Sequence, residues 1–163
     1  MSDHQPKTRS LEHTGASVVV QAKVEDCYAV CVDIGRYPEW VENLRTADIL
    51  TTDELGRPRT VRFEAAGLGR MTSYVLEYDL SDAPHRLGWS LVAGDLTRAI
   101  EGRYLFHDMT EDSAMPLTEV DYELTIDLAV PLPGFVKRRA EDKIVRAALS
   151  RFKQRVEGKP ITP

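Results

Sequence analysis

The sequence predicts an α+β domain: a seven-stranded antiparallel sheet, two short helices after its first strand, and one long C-terminal helix. Three observations carry this reading. From Val120 to Leu128 the even positions are Val120, Tyr122, Leu124, Ile126 and Leu128, while Asp121, Glu123, Thr125 and Asp127 alternate with them. This is period two, with one face apolar and the other wet. That strand runs into Pro131-Leu132-Pro133-Gly134, after which apolar residues recur at 136, 140, 144, 145, 148, 149, 152 and 156, the steps of an amphipathic helix. Between residues 44 and 128, turn-rich breaks separate six β-rich runs with short links, which implies antiparallel neighbours.

The elements follow in order. Residues 1–14 are polar and read as a flexible tail, residues 15–158 as the folded domain, and residues 159–163 as a second tail. Residues 16–22 are short and β-branched, a strand. Val24 to Asp33 carries apolar residues at helical spacing, with Glu25 and Asp26 in the first turn, where the helix dipole favours acids. Gly35 reads as the helix stop. Pro38 sits early in a second short helix over 36–41. The meander strands are expected at 44–52, 59–66, 70–79, 86–93, 97–107 and 117–128, with Gly67-Leu68-Gly69 as a hairpin turn. The last helix, about Pro133 to Glu157, would run roughly 35 Å at 1.5 Å per residue, enough to lie along the whole sheet.

Composition limits the function classes. The chain has 163 residues, 42% hydrophobic and 29% charged, enough to bury one core and too polar for a membrane span. The N-terminal stretch has no apolar h-region, so the expected compartment is the cytoplasm. Net charge is −5, which disfavours a nucleic-acid partner. The charge is uneven: from Lys137 to Arg155, Lys137, Arg138, Arg139, Lys143, Arg146, Arg151, Lys153 and Arg155 stand against only Glu141 and Asp142, a local excess of +6. That face reads first as a solvated surface. Its functional alternative is attraction to an anionic head group or peripheral contact with a membrane. Cys27 and Cys31, four apart on one helix, read as small buried hydrophobes rather than metal ligands.

Alternation assigns an inward set. It places Val61, Phe63 and Ala65 on one face of their strand, then Thr72, Tyr74, Leu76 and Tyr78, then Leu87, Trp89 and Leu91. The next strand offers Arg98, Ile100, Gly102, Tyr104 and Phe106, and the last Tyr122, Leu124 and Ile126. An oily sheet face covered by a single helix encloses a cavity. The candidate ligand-binding residues drawn from these faces are Phe63, Tyr74, Leu76, Trp89, Leu91, Arg98, Ile100, Tyr104, Tyr122 and Leu124. Tyrosine and tryptophan pack like hydrophobes yet carry one polar handle, suited to orienting a ligand in an apolar pocket. Arg98 on the same face would need an acid or an anionic ligand, unless it ends in solvent beside Asp95.

Catalytic chemistry finds little footing. His4 and His13 fall in the tail, His85 in a turn, and His107 at a strand end before Asp108, whose side chain points to the opposite face. No nucleophile elbow, phosphate-binding loop, H-E-x-x-H or C-x-x-C motif is present. No catalytic residue is assigned, and no cofactor or metal is expected. Acid–base work would fall to Tyr, Arg, Thr or an activated carboxylate.

Four segments together resemble one family. They are Asp33-Ile34-Gly35-Arg36-Tyr37-Pro38-Glu39-Trp40-Val41, Trp89-Ser90-Leu91-Val92-Ala93-Gly94, Gly102-Arg103-Tyr104-Leu105-Phe106 and Pro131-Leu132-Pro133-Gly134-Phe135. With the strand and helix order, they make the chain resemble the START-like helix-grip superfamily (SRPBCC), nearest its polyketide cyclase/dehydrase and lipid-transport group, over roughly residues 15–157. The resemblance implies a curved antiparallel sheet gripping the C-terminal helix over a deep pocket. It adds Tyr37 and Trp40 to the candidate ligand-binding residues, at the pocket mouth; their alternative role is to plug the end of the grip. In the cyclases of the family an Arg and Tyr pair would orient and enolise the substrate. The candidates here are Arg62, of outward parity, and Arg98.

Three functions are therefore carried forward. The first is non-catalytic binding of a hydrophobic small molecule: a lipid, an isoprenoid or quinone, or a polyketide-like compound. The second is a polyketide aromatase/cyclase or dehydratase using Tyr and Arg in the cavity. The third is a protein- or membrane-interaction module working through the basic face of the last helix. Monomer and homodimer are both compatible with the sequence.

Overall fold

A computed structural model describes residues 14–67 and 69–159. Seven antiparallel strands form one curved sheet: β1 (Thr14–Val20), β2 (Leu44–Thr52), β3 (Pro58–Gly67), β4 (Arg70–Asp79), β5 (Arg86–Gly94), β6 (Thr97–Asp108) and β7 (Thr118–Leu128). The spatial order is β1-β7-β6-β5-β4-β3-β2, so β1 and β2, the first two strands of the chain, are the two edges. Helix α1 (Val24–Val32) and a 3-10 helix, Ile34–Glu39, join those edges, and α2 (Gly134–Val156) closes the chain.

Several boundaries differ from the sequence expectation. Thr14, expected in the tail, opens β1, which ends at Val20 rather than 22. Gly35 does not stop a helix. Helix α1 ends at Val32, and Gly35 lies within the 3-10 helix, which begins two residues earlier than expected and runs through Pro38. The rest of the expected tails, residues 1–13 and 160–163 with His4 and His13, lies outside the described residues, as does Leu68 of the β3–β4 turn.

The inward parity read from alternation places the core. Val61, Phe63, Leu76, Tyr78, Leu87, Ile100, Tyr104, Phe106, Val120, Tyr122 and Leu124 are all buried in one cluster. Val24, Cys27 and Cys31 of α1 and Val145, Leu149 and Phe152 of α2 join it. Removing a large apolar side chain from such a cluster costs about 2–5 kcal/mol, because the surroundings refill the space only in part.

Helix α2 is fastened along one side. It packs chiefly on β1 and β7. Near its start the buried Glu141 accepts from Ile126 N at 2.7 Å and from Thr14 Oγ1 at 3.1 Å. Ile126 lies beyond Leu124, the last β7 residue that β1 pairs, so its amide would otherwise be orphaned. Near the helix end, Lys153 Nζ donates to Val19 O at 2.6 Å, and Gln21 N donates to Glu157 Oε2 at 2.9 Å. Arg155 meets Glu39 of the 3-10 helix at 2.8 Å. Lys153 and Arg155 of the basic face thus help to hold the helix, while Arg146 pairs with Asp142 along its own surface.

Candidate functional site

The inner face of the sheet grades from sealed to open. At one end Val61, Tyr78, Leu87, Phe106 and Val120 are buried. Toward the other, Ala65, Thr72, Tyr74, Leu91 and Ile126 are only half-buried. Strand register shows which end this is: Gly67 pairs with Arg70, Tyr74 with Gly94, and Thr97 with Leu128, so the β3–β4 turn, the β5–β6 turn and the start of α2 share it. At that end α2 exposes Val136, Ala140 and Ile144, with Phe135 66% exposed beside them.

This corrects the reading of α2 as a single apolar stripe. Two stripes run side by side. Val145, Leu149 and Phe152 are buried with Glu141, whereas Val136, Ala140 and Ile144 form a flank that stays open. On a 3.6-residue helix the flank lies about a quarter turn around from the buried line. At the C-terminal half the same side carries Arg155, which reaches the 3-10 helix. At the N-terminal half the side is uncovered.

The interior is lined with aromatic rings that carry hydroxyls. Trp89 stands 5.6 Å from both Tyr104 and Tyr122 between ring centroids, and 6.1 Å from Tyr78. Tyr104 and Tyr122 meet edge-on at 4.5 Å. Phe63 stacks on Tyr74 at 5.5 Å. Among the described residues, none hydrogen-bonds to the hydroxyl of Tyr74, Tyr78, Tyr104 or Tyr122, although Tyr78, Tyr104 and Tyr122 are more than nine-tenths buried. Each of these oxygens still borders space a water molecule can reach. Burial pushes the Tyr74 hydroxyl up to about 12 and holds those of Tyr78, Tyr104 and Tyr122 above their ordinary range. The hydroxyls are close enough to disfavour one another's ionisation, Tyr122 acting on Tyr104 and Tyr74 on both Tyr78 and Tyr122. They are neutral donors throughout the ordinary pH range.

The remaining candidates fall in different places. Leu76, Ile100 and Leu124 are buried on the inner face, and Leu91 is half-buried near the open end. Tyr37 and Trp40, expected at the mouth, are packed inside. Trp40 is 2% exposed and lies 5.7 Å from Phe152, and Tyr37 stacks on Phe63 at 6.4 Å. The Tyr37 hydroxyl is already spent on the backbone oxygen of Cys31. The pair therefore plugs the grip. Arg98 is exposed, not inward. The β6–β7 register shifts between Thr97 and Ala99, and the Arg98 guanidinium turns out to Ala129 O at 3.4 Å. It lies with Lys137, Asp127 and Leu132 around a rim depression of about 260 Å³. Asp95 does not serve Arg98; it accepts from Thr72 Oγ1 at 2.6 Å and from Ser73 N at 3.1 Å. Arg62 is exposed on the outer face.

Two outer-face features escaped the sequence reading, because cross-strand neighbours are far apart in the chain. A groove of about 340 Å³ runs over Gly88, with the ion pairs Arg86–Asp79 at 3.1 Å and Arg103–Glu123 at 2.6 Å in its wall. His107, next to Asp108 in sequence, instead faces Asp121 across the strands at 2.9 Å, with Glu119 beside them. Ligand atoms of His107, Glu119 and Asp121 lie within 4.8 Å of one another, and Asp121 also accepts from Ser17. Cys27 and Cys31 are buried, and desolvation pushes the Cys27 thiol up to about 11. No helix among the described residues is long and apolar enough to cross a membrane.

A curved seven-stranded antiparallel sheet gripping a C-terminal helix is the helix-grip START fold. The chain belongs to the polyketide cyclase/dehydrase and lipid transport family, whose pattern it matches over residues 12–157. Among solved structures it is similar to a START superfamily protein from Mycobacterium smegmatis, at 20% identity and TM-score 0.81, covering 90% of this chain and 97% of that one. A protein from Thermus thermophilus is similar at 19% identity and TM-score 0.73, covering 90% and 97%. The Zhui aromatase/cyclase from Streptomyces sp. R1128 is similar at 16% identity and TM-score 0.67, covering 89% and 93%. At these identities the likeness is one of fold. We find no match among curated protein sequences.

Proposed function

We propose that this protein binds a hydrophobic small molecule, of the lipid, isoprenoid or quinone, or polyketide-like kind, between the inner face of its sheet and α2. The observation that carries this reading is the set of inner-face tyrosine hydroxyls that no described residue bonds. A tyrosine hydroxyl on an apolar face needs a bonding partner, and where the protein supplies none, water or a ligand does. Three such groups around Trp89, with Tyr74 stacked on Phe63 and an open apolar flank on α2, suit a pocket that bonds something other than the protein.

Binding stands ahead of the cyclase or dehydratase reading on one point. Neither candidate arginine, Arg62 or Arg98, lies on the inner face, so an enolising Arg–Tyr pair has no arginine there among the described residues. The interaction-module reading is weakened by the use of Arg146, Lys153 and Arg155 within the fold.

Native mass spectrometry of the purified chain, followed by solvent extraction of the denatured protein, tests the proposal. One hydrophobic compound bound per chain and released on denaturation is expected. A bare mass, together with no uptake of a neutral apolar fluorophore, overturns it.

A further inference from the structure

We infer that the ligand presents a neutral, oxygen-bearing polar group, such as a ketone, quinone, phenol or alcohol, to the tyrosine cluster, and that anionic head groups are rejected. The inference rests on the binding reading and narrows its substrate class. It follows from what the interior offers and from what it lacks.

What it offers is hydroxyl chemistry alone. Tyr78, Tyr104 and Tyr122, more than nine-tenths buried, and Tyr74 beside them each have one O–H to give and lone pairs to receive. A carbonyl or hydroxyl oxygen placed among them finds donors without changing any protonation state. Tyr37 is not available, since its hydroxyl serves Cys31 O.

What it lacks is a cation. Among the described residues the buried polar side chains are Thr118, Thr125 and Glu141. The only ionisable one is an acid, and its two oxygens already accept from Thr14 and Ile126. Arg62 and Arg98 are outside. A carboxylate or phosphate buried here would lose its water and meet no positive partner, and the acid Glu141 carries the same sign. Unpaired burial of an anion is among the costliest events in a protein interior. Neutral donors do not repay it.

The basic residues of α2 do not alter this. Arg138, Arg139 and Lys143 are exposed, Lys137 lies at the rim depression, Arg146 is held by Asp142, Lys153 by Val19 O and Arg155 by Glu39, and no basic side chain of α2 is buried. They can attract an anion to the surface without placing a charge at the tyrosines.

The test displaces a neutral apolar fluorophore, N-phenyl-1-naphthylamine, from the full chain with compounds of one chain length and different heads: a methyl ketone, a primary alcohol, a carboxylate and an alkyl phosphate. The ketone and alcohol are expected to displace it at least about tenfold more tightly than the two anions at neutral pH. In the doubly substituted chain Tyr104→Phe with Tyr122→Phe, that preference should shrink by about tenfold, with circular dichroism unchanged. Equal or tighter displacement by the anions overturns the inference while leaving the binding reading intact. A ketone preference unchanged in the double variant also overturns it, since another group would then be reading the head. Failure of the fluorophore to bind, and of every compound to change the protein's melting temperature, removes the binding reading and this inference with it.

Discussion

Trp89 lies across the bare α-carbon of Gly102. A β-carbon built on Gly102 would come within 2.3 Å of Trp89 Cζ2, closer than any side chain tolerates. The two residues pair directly across β5 and β6, and Gly102 pairs in turn with Leu124 of β7. The missing side chain lets the indole lie down on the sheet, where its ring reaches Tyr78, Tyr104 and Tyr122. One glycine therefore sets the shape of the site.

Gly102→Ala should push Trp89 upright into the space the tyrosines share. The expected loss is about 1–3 kcal/mol of stability, the usual cost of overpacking. Ligand affinity should fall as well, because the indole then occupies the pocket. Urea denaturation with tryptophan fluorescence gives the first quantity and fluorophore displacement the second. An unchanged midpoint and an unchanged affinity would mean that Trp89 does not lie where Gly102 admits it.

The tyrosines predict an alkaline behaviour. Tyr74 is pushed up to about 12 from an ordinary value of 10, and Tyr37, Tyr78, Tyr104 and Tyr122 are raised too, all by burial first. A group whose folded pKa is raised contributes stability that is present below the unfolded pKa and lost as pH rises toward the folded one. Stability should thus be flat through neutrality and decline as pH climbs past about 10. Phenolate absorbance should appear for these five only as the chain unfolds. Smooth ionisation of all tyrosines near the ordinary value, in folded protein, would contradict the burial described.

Partnerless hydroxyls also predict an unusual mutational sign. In ligand-free protein, Tyr104→Phe or Tyr122→Phe removes a hydroxyl that no described residue bonds, and stability should stay level or rise by up to about 1 kcal/mol. Phe152→Ala, which strips a ring packed on Trp40, Tyr104 and Phe106, should by contrast cost about 3–5 kcal/mol. Thermal melts of the three variants decide the matter. Destabilisation by either Tyr→Phe change comparable to that of Phe152→Ala would mean the hydroxyls are structural.

Glu141 holds the start of α2. Glu141→Ala strands the Ile126 amide and should cost about 1–3 kcal/mol, whereas Glu141→Gln keeps a carbonyl acceptor and should cost less. Amide hydrogen exchange at Ile126 reports the difference directly, with fast exchange in the alanine variant and slower exchange in the glutamine one. Equal protection in both would show the amide is satisfied elsewhere.

The open flank of α2 separates entry from stability. Ile144 is 43% exposed, so Ile144→Lys should change stability by less than about 0.5 kcal/mol. On the proposed route to the inner face, the charge should slow ligand uptake in stopped-flow fluorescence. A large loss of stability with unchanged uptake would put Ile144 in the core and the entrance elsewhere.

The strand alternation made most of the fold legible. Period two fixed the parity of β3 to β7, and Phe63, Tyr74, Leu76, Trp89, Tyr104, Tyr122 and Leu124 all fall on the side it assigned. Parity failed at Arg98, where a register irregularity between Thr97 and Ala99 breaks the alternation without any mark in the sequence. Spacing along α2 could not split Val136, Ala140 and Ile144 from Val145, Leu149 and Phe152. Both sets repeat at helical intervals, and only the neighbours of α2 decide which one is covered. Glu141 looked like part of a solvated charged face. Its role depends on β1 beginning opposite Leu124, a fact of pairing more than a hundred residues away in the chain. The placement of Tyr37 and Trp40 inside the grip likewise follows from Phe152, which no local pattern links to them.

The central claim is that the hydroxyls of Tyr104 and Tyr122 bond a neutral ligand inside the sheet. Fluorine NMR of protein carrying 3-fluorotyrosine tests it most directly, with resonances assigned by single Tyr→Phe changes. Addition of a long-chain methyl ketone should shift the Tyr104 and Tyr122 signals and leave that of Tyr28 in place. Binding of the ketone, seen by calorimetry, with the Tyr104 and Tyr122 signals unmoved would contradict the claim.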